Sequence, residues 1–446
     1  MAVSSPSSLS VSTAQISRRR FLRQAGATLA IGAVFPALIP ARALGRDGTV
    51  SPSNRITLGV IGTSQGMANV NRFLPFPDVQ VNAVCEVDGQ RLTKAVTRID
   101  THYGTKGTRS YRDFREMFAR AKLDAVIIAA PDHWHGIMAV RAARAGIDIY
   151  GEKPLAHTLA EGRAVVDAVK QHGCVWQTGS WQRSIANFRR AVELVRNGRI
   201  GRVSHVEVGT HGGTAPWREA VTGKPPAHLD YEMWVGPAVW TDYDPRVTHS
   251  RWRWVLNYGG GRLMDFVGHH VDIAQWGLGL DHTGPVKISG TGTFATTPPY
   301  DAEHQYRYDC IYENGVVMAI GSDFTSGTRF YGERGWIHVG RSKGLGVPGH
   351  LEASSPAILQ NEDGANDVHI YRSDDHWRNF IDCVKTRRET ITPVEIAHRV
   401  TNIGHLGHIA IQTGRTIHWD PAAEVIKNDP AASLMLQPVF SSSWAL

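Results

Sequence analysis

The chain has 446 residues and a mass of 49.0 kDa, a length that suits two domains better than one. Its hydrophobic content of 42% and charged content of 20% are ordinary for a globular protein with a sizeable core. The formal net charge is +7, but residues 1–43 contain five arginines and no acid, so the remainder carries 7 − 5 = +2. That small charge, without a later basic run, argues against a nucleic-acid partner.

The first 43 residues have the features of an export signal. Ser17–Arg23 places consecutive arginines and Phe-Leu before a mildly apolar run, Ala25–Ile39, and Ala41–Ala43 offers small residues at the spacing that signal peptidase reads. This order predicts a twin-arginine signal peptide and an exported, periplasmic protein; the alternative is a disordered basic tail. The remainder has no stretch near the ~20 apolar residues of a membrane helix, so we expect no membrane anchor.

Residues 54–180 predict a dinucleotide-binding domain. Arg55–Gly62 is a continuous apolar run of the kind found in buried parallel strands. Further predicted strands alternate with predicted helices, which is typical of a doubly wound parallel sheet, the Rossmann arrangement. The later strands are predicted at Val79–Glu86, Asp124–Pro131, Ile147–Tyr150 and Val175–Ser180.

The turn after the first strand is the predicted phosphate-binding turn. It departs from G-x-G-x-x-G because Ser64 replaces the middle glycine and Gly66 stands one place off the third. The next strand ends in Glu86, about 24 residues after Gly62, near the usual offset of the carboxylate that contacts the ribose of NAD. NAD is therefore favoured over NADP. Arg91 lies close enough in the sequence for NADP to remain an alternative. The candidate turn residues are Gly62, Thr63, Ser64, Gln65, Gly66 and Met67.

Two later strand ends carry polar residues. Ligands bind beyond the C-terminal strand ends of parallel sheets, so we expect Lys153 to lie near the nicotinamide. The sequences APDHWH and GEKP supply the remaining candidate cofactor contacts, namely Ala130, Pro131, His133, His135, Glu152 and Lys153.

Residues 181–425 have a different pattern. Arg202–His211 alternates with a period of two, and Val286–Phe294, Gln305–Tyr312 and Gly315–Ser322 are further predicted strands. We predict a mostly antiparallel, open sheet, so the chain is an α/β domain followed by an α+β domain. Residues 426–446 are expected to form a weakly structured tail.

Within this half, Asn257–Gly279 predicts a helix opened by three glycines. Asp265 and His269 are four residues apart and would project from one helix face. The alternative is a buried histidine held by its own helix partner. His269 and His270 would point about 100° apart, so they do not suggest a shared metal ion.

Together these residues resemble the Gfo/Idh/MocA family, named for glucose–fructose oxidoreductase, inositol dehydrogenase and rhizopine catabolism, over roughly 54–425. The motifs that carry the resemblance are the Gly62 turn, Glu86, APDHWH, EKP at 152–154, GSWQR at 179–183 and DFVGHHVD at 265–272.

The resemblance implies that Lys153 is the catalytic lysine, that Asp265 and His269 form the acid/base pair, and that His135 lies beside the cofactor. It also implies a C-terminal sheet used for oligomerisation, and hence a homodimer or homotetramer. Ser64 and Val267 depart from the family, which usually has glycine at both positions, and Val267 would narrow the pocket.

These groups suit oxidation of a secondary alcohol of a sugar, polyol or sugar derivative. His269 would act as the base, oriented by Asp265, while Lys153 binds the substrate oxygen. Because free NAD is not expected outside the cytoplasm, we expect a tightly held cofactor that is recycled by a second substrate. The candidate sugar contacts are Trp181, Arg183, Trp252 and Trp254, with core packing the alternative for each tryptophan.

Two other functions remain open. The first is an NAD-dependent glycoside hydrolase or lyase that oxidises the sugar transiently, eliminates the glycosidic bond and returns the hydride. Relatives of that type often lose EKP, so its presence here favours net oxidation. The second, a non-catalytic cofactor-binding or sensory protein, is disfavoured because Lys153, Asp265 and His269 are all present.

Overall fold

The computed structural model describes residues 50–213, 223–341, 349–360, 364, 366–441 and 444–446. The predicted signal segment, 1–43, lies outside the described residues. The chain divides into two compact units, Met1–Ser53 and Asn54–Leu446, and every element named below belongs to the second.

The first sheet has six parallel strands in the order β3-β2-β1-β4-β5-β6, which confirms the predicted doubly wound parallel sheet. The short strand β3 (Arg109–Tyr111) was not among the predicted strands. Leu58 and Val60 in the central strand are fully buried because helices cover both faces. The strands are β1 (Ile56–Ile61), β2 (Val79–Cys85), β3 (Arg109–Tyr111), β4 (Ala125–Ile128), β5 (Asp148–Gly151) and β6 (Trp176–Thr178).

Five helices connect these strands. The Asp88 carboxylate caps the helix Gly89–Tyr103 by accepting hydrogen bonds from the amides of Gln90 and Arg91, and Thr158 caps the helix Leu159–His172. The first helix begins at Gln65, directly after the glycine turn. The helices are α1 (Gln65–Phe73), α2 (Gly89–Tyr103), α3 (Phe114–Arg120), α4 (Asp132–Arg144) and α5 (Leu159–His172).

Within the described residues, the second sheet has nine strands in the order β13-β12-β11-β7-β10-β9-β8-β14-β15. Strands β7 and β10 pair in parallel and the other described pairs are antiparallel, which confirms the predicted mostly antiparallel sheet. The strands are β7 (Val203–Gly209), β8 (Lys287–Phe294), β9 (Glu303–Ile311), β10 (Val317–Gly321), β11 (Gly327–Gly332), β12 (Gly335–Gly340), β13 (His350–Ala353), β14 (Ile417–Asp420) and β15 (Val425–Ile426).

The predicted helix within Asn257–Gly279 is interrupted by a π-helical turn, Val267–Val271. Short 3-10 helices form at Trp181–Ser184 and Thr248–Trp254. The α-helices of this half are α6 (Ala186–Arg196), α7 (Tyr231–Val235), α8 (Gly261–Phe266), α9 (Asp272–Leu278), α10 (Pro356–Leu359), α11 (His376–Thr386), α12 (Val394–Thr413) and α13 (Pro430–Leu434).

Two helices near the C-terminus, α11 and α12, pack against helices of the dinucleotide-binding domain. Helix α12 packs against both α5 and β8, and α11 packs against α1. The Arg378 guanidinium binds the Asp78 carboxylate through two hydrogen bonds, of 2.8 and 3.0 Å. Residues far apart in the chain therefore hold the first helix of the dinucleotide fold in place.

The described C-terminal residues are more ordered than the sequence suggests. Besides α13, the Trp444 ring packs edge-to-face on Trp134, with centroids 4.8 Å apart, and stacks near Phe114. The expectation of a weakly structured tail is therefore wrong here, because terminal aromatic residues bury apolar surface against the first domain.

None of the helices in the described ranges is both long enough and apolar enough to cross a bilayer.

Candidate active site

A cavity of about 1240 Å³ opens at the C-terminal ends of the parallel strands and extends to α8 and the π-helical turn. It exceeds the ~300–1,000 Å³ of a typical small-ligand site, so it has room for a cofactor and a second molecule. The predicted site residues that line it are Gly62, Thr63, Ser64, Gln65, Glu86, Ala130, Pro131, His135, Glu152, Lys153, Trp181, Trp252, Trp254, Asp265 and His269.

The glycine turn fits a dinucleotide despite its altered motif. Gly62 has φ +80, and a Cβ there would lie 2.5 Å from the carbonyl oxygen of Ala129. Ser64 has φ −76, so this position of the turn does not need the positive φ that favours glycine. A Cβ on Gly66 would lie 2.9 Å from Val60, so this glycine lets α1 pack closely on β1. The helix N-terminus then faces the cavity, where a pyrophosphate is stabilised.

Glu86 is fixed at the end of β2. Its Oε2 accepts hydrogen bonds from the Thr63 amide at 2.9 Å and the Thr63 hydroxyl at 2.8 Å. The Asp88 amide donates to the other oxygen at 3.1 Å. These contacts hold an acceptor at the cavity wall, as a contact with ribose hydroxyls requires.

Lys153 follows β5 and is joined to Pro154 by a cis peptide bond. Its Nζ donates to Asp265 Oδ1 at 2.6 Å and to the Asp265 carbonyl oxygen at 2.8 Å. A Cβ on Gly268 would lie only 2.7 Å from Lys153 Cβ, so the glycine in the π-helical turn makes room for the lysine stem. The structure thus brings together the predicted lysine and aspartate from separate domains.

Three cations share the Asp265 carboxylate. Besides Lys153, Arg262 donates to Oδ2 at 3.0 Å and the Arg253 Nε lies 3.6 Å from Oδ1. Burial would raise the pKa of Asp265, but Lys153 and Arg253 hold it well below its usual value. Asp265 is therefore an ionised group that positions Lys153.

The prediction that Asp265 orients His269 is wrong. No hydrogen bond joins the two side chains among the residues described, and the Asp265 oxygens contact Lys153 and Arg262 instead. The physical reason is the π-helical turn between them, which replaces the α-helical spacing on which the expectation rested.

His269 is nevertheless well placed to act as a base. Its side chain lines the cavity but is only 6% exposed, and its Nδ1 has no hydrogen-bond partner within the described part of the chain. Burial lowers the pKa of His269 well below its usual value, and the cations Arg341 and Lys153 lower it further. The imidazole is therefore neutral near pH 7.

His135 and His133 occupy different environments. His135 lies on the cavity wall, with Nδ1 2.7 Å from the Pro154 carbonyl oxygen and Nε2 2.9 Å from that of Ala130. His133 instead contacts the carbonyl oxygens of Trp234 and Tyr258 and does not line the cavity, which corrects its assignment as a cofactor contact.

Gly66 and Met67 do not line the cavity either. The chain has already entered α1 at Gln65, so both residues lie within the helix, and Met67 packs beside the core of the first domain.

Arg183 is not a sugar contact. Its guanidinium is 2% exposed and donates hydrogen bonds of 2.7 and 2.9 Å to Asp272 and of 2.8 and 3.1 Å to Asp281. It lies outside the cavity lining because both carboxylates draw it into the interior.

Val267 does not narrow the pocket. Its side chain is fully buried and turned away from the cavity lining, and a Cβ on Gly404 of α12 would lie 3.1 Å from it. Sequence reasoning therefore assigned the residue to the wrong side of its helix.

Several cavity residues were missed. Asp132 is buried, and burial raises its pKa to about 7. Asn69 donates to Glu152 at 2.7 Å and accepts from Trp377 at 3.1 Å. Arg253, which lies near Asp265, was missed as well. Both Arg253, within RWRW at 251–254, and Asp132, within APDHWH, stand in motifs of which only the tryptophans or the histidines were considered.

Comparison with known proteins agrees with this geometry. Residues 56–180 match the model of the oxidoreductase family, NAD-binding Rossmann fold, and residues 185–446 match the model of the oxidoreductase family, C-terminal alpha/beta domain. The uncharacterized oxidoreductase YrbE of Bacillus subtilis is 27% identical over 351 residues, covering 76% of this chain and 89% of YrbE.

Two further matches concern named enzymes. The alpha-N-acetylgalactosaminidase of Shewanella oneidensis is 27% identical over 213 residues, which span 43% of this chain and 45% of that protein. The crystal structure of aldose-aldose oxidoreductase from Caulobacter crescentus, complexed with glycerol, superimposes with a TM-score of 0.60 at 19% identity, covering 82% of this chain and 99% of that one.

The paired family matches, the glycine turn and the Lys153–Asp265 arrangement lead to one conclusion. The chain belongs to the Gfo/Idh/MocA oxidoreductase family and has an NAD-binding Rossmann domain.

Proposed function

We propose that the protein oxidises a secondary alcohol of a sugar, polyol or sugar derivative with NAD(P), and reduces the corresponding carbonyl compound in reverse. One observation carries the proposal: the Lys153–Asp265 pair and the neutral His269 line the same cavity as the glycine turn and Glu86. A hydroxyl group between these two sets of residues would meet both a proton acceptor and a cofactor.

His269, Lys153 and Asp265 have separate roles in the proposed reaction. Bound NAD would supply the hydride acceptor. His269 takes the hydroxyl proton, since its imidazole is neutral. The Lys153 ammonium donates a hydrogen bond to the substrate oxygen and stabilises the negative charge that develops there. Asp265 accepts a hydrogen bond from the Lys153 Nζ and thereby holds it at the cavity.

The cavity wall favours a carbohydrate. Trp181, Trp252 and Trp254 all line it, and their rings suit the apolar faces of a sugar. The structural likeness to an aldose-aldose oxidoreductase is in keeping with the same substrate class.

A second candidate function is an NAD-dependent glycoside hydrolase. The alpha-N-acetylgalactosaminidase of Shewanella oneidensis favours it, although the match spans less than half of either chain. Transient oxidation of a sugar carbon acidifies the neighbouring C–H bond, and elimination then releases the aglycone. His269 and Lys153 would serve that first oxidation equally well.

We further propose export through the twin-arginine pathway into the periplasm, as a homodimer or homotetramer. The arginines of Ser17–Arg23 and the small residues Ala41–Ala43 support export. Since that pathway transports folded protein, the cofactor would be loaded before export, retained and regenerated on a carbonyl acceptor.

The test begins with protein purified from residue 44 onward and denatured to identify any released nicotinamide. Absorbance at the reduced-nicotinamide band is then followed while free sugars or aryl glycosides are added. Lasting reduction by a free sugar, reversed by a carbonyl acceptor, supports the oxidoreductase. Aglycone release without net reduction supports the hydrolase, and absence of cofactor binding overturns both.

A further inference from the structure

Three side chains that can ligate a metal ion meet on the second sheet, outside the active-site cavity. Strand β13 lies at one end of the described strand order and pairs with β12, and in this pairing His338 lies opposite Glu352. His350 precedes Glu352 by two residues, so both side chains point to the same face of the sheet. None of the three residues lines the cavity.

The three side chains converge on one point. The Glu352 Oε1 lies 3.1 Å from the Nδ1 of His338, and its Oε2 lies 3.0 Å from the Nε2 of His350. One potential ligand atom from each residue lies within 4.8 Å of those of the other two. Ligand atoms around a tetrahedral zinc ion, with bonds of about 2.0–2.1 Å, are roughly 3.4 Å apart. Small rotations of these side chains would therefore place all three around one ion.

The donor atoms suit a zinc ion. Imidazole nitrogen and carboxylate oxygen both bind Zn²⁺, and two histidines with one glutamate form a known zinc donor set. Burial and the nearby Arg329 guanidinium lower the pKa of His338, so its imidazole is neutral, the form that binds a metal ion. The hydrogen bond with His350 lowers the pKa of Glu352, which is therefore an ionised ligand.

One ligand is fixed and two are accessible. His338 is buried, whereas Glu352 is partly exposed and His350 is exposed, so a hydrated ion has a path to the cluster. Arg329 also contacts the carboxylate, since its Nη2 lies 3.5 Å from Oε1 of Glu352. That contact is at the outer limit of a hydrogen bond, and the Arg329 guanidinium keeps its packing on the Trp336 ring, 4.7 Å away, when the carboxylate turns to an ion.

We propose that His338, His350 and Glu352 bind a zinc ion that links β12 to β13. An ion held by three protein ligands keeps its fourth position for water. Strand β13 has only four residues, and β12 is its pairing partner among the described strands. The ion would therefore stabilise the edge of the sheet, and this inference does not depend on the proposed reaction.

The test measures zinc binding to the full chain after treatment with EDTA and dialysis. Calorimetric titration with zinc chloride should show one ion bound through this cluster, and the melting temperature should rise with zinc concentration because the ion binds the folded chain. Magnesium chloride should give neither effect, since Mg²⁺ prefers carboxylate, carbonyl and water oxygens to imidazole.

His350→Gln and Glu352→Gln each remove one ligand. Both should weaken zinc binding by at least about tenfold to a hundredfold, because that loss is already typical of residues that only support a ligand. Without zinc, their melting temperatures should stay near that of the parent, since both side chains reach the surface. The matched control is His418→Gln, which removes an exposed histidine of β14 in the same sheet and should bind zinc like the parent.

The outcomes that would overturn the site are specific. They are no zinc binding by the parent, unchanged binding in His350→Gln and Glu352→Gln, an equal loss in His418→Gln, or magnesium bound as tightly as zinc. The proposed reaction is tested separately by nicotinamide absorbance. If zinc binds through this cluster but no sugar is oxidised, the inference stands and the proposed reaction falls; the reverse result leaves the reaction and removes the site.

Discussion

The Lys153 ammonium lies 2.6 Å from the Asp265 carboxylate and 2.8 Å from the carbonyl oxygen of the same residue. Lys153 comes from the end of a parallel strand and Asp265 from a helix of the second half, so this one residue pair links the two halves at the reacting centre. Its geometry pairs the Asp265 carboxylate with the lysine, so the proposed base, His269, is not oriented by Asp265.

Replacing Lys153 with methionine should abolish turnover and leave the fold intact. Methionine keeps the apolar stem but removes the hydrogen bond to the substrate oxygen, a loss of about 10²–10³-fold or more in kcat. Asp265 retains Arg262 and Arg253, so the free energy of unfolding should change by less than about 2 kcal/mol. Steady-state kinetics and urea unfolding measure both.

The control for this variant is Lys170→Met, which removes an exposed lysine paired with Glu395. It should retain activity. If Lys153→Met loses NAD binding and stability to the same extent as activity, the catalytic role of Lys153 is wrong.

Gly268→Ala should reduce activity because it displaces the Lys153 side chain. The new methyl group would lie 2.7 Å from Lys153 Cβ, and the lysine stem must shift. A displacement near 1 Å at a reacting group costs about 10²-fold in rate. NAD affinity, measured by fluorescence titration, should change little.

Gly107→Ala is the matched control, since a methyl group there meets no atom within 4 Å. Parent-like kcat for Gly268→Ala would contradict the proposed dependence of Lys153 on this glycine.

The sheet topology was predictable because buried parallel strands and half-exposed antiparallel strands differ in their apolar periodicity. This periodicity predicted the first domain and the second sheet, and the position of Lys153 after a predicted parallel strand placed it near the nicotinamide. Contacts between distant segments were not predictable: Arg341 and Asp132 acquire their surroundings only when the halves pack together. The π-helical turn at Val267–Val271 was missed because helical spacing alone carries no signal for it.

Glu86→Ser should weaken NAD binding more than NADP binding. The carboxylate can accept bonds from the ribose hydroxyls, and it repels a 2′-phosphate. We expect NAD affinity to fall about tenfold to a hundredfold, with a smaller loss or a gain for NADP. Titrations with both cofactors measure the ratio.

Glu86 also accepts two hydrogen bonds from Thr63, so Glu86→Ser removes contacts within the protein as well. The melting temperature of the variant should therefore be measured together with its cofactor affinities. Glu116→Ser, on the exposed face of α3, is the control. An unchanged NAD-to-NADP ratio in Glu86→Ser would overturn the ribose assignment.

Arg183→Ala should destabilise the protein instead of changing its substrate affinity. It leaves the Asp272 and Asp281 carboxylates without their cation in the interior, a loss of about 3–5 kcal/mol. Chemical denaturation measures this directly, and KM for the sugar should stay near that of the parent under conditions where the variant is folded.

The contrast is Arg202→Ala, which removes an exposed ion pair with Glu333 and should cost less than about 1 kcal/mol. A raised KM with unchanged stability in Arg183→Ala would restore its role as a sugar contact.

Asp132→Asn should stabilise the cofactor-free protein at alkaline pH. Burial raises the pKa of Asp132 to about 7, from its ordinary value of 3.8. Between these two values the folded state holds a proton that the unfolded state has lost, so Asp132 lowers stability progressively as pH rises from about 4 to 7, and the penalty is constant above that. Asparagine does not titrate and removes this dependence.

Each pH unit between pH 5 and the folded-state pKa of about 7 changes the free energy of unfolding of the parent by about 1.4 kcal/mol. The free energy of unfolding of Asp132→Asn minus that of the parent should therefore be roughly 2–3 kcal/mol larger at pH 8 than at pH 5. Urea unfolding at both pH values measures it, and any pH-independent effect of the amide cancels. Asp167→Asn, on the exposed face of α5, should give the same difference at both pH values. Parallel pH profiles for Asp132→Asn and the parent would show that Asp132 is ionised in the folded protein, and the cavity would then hold one more negative charge beside Lys153.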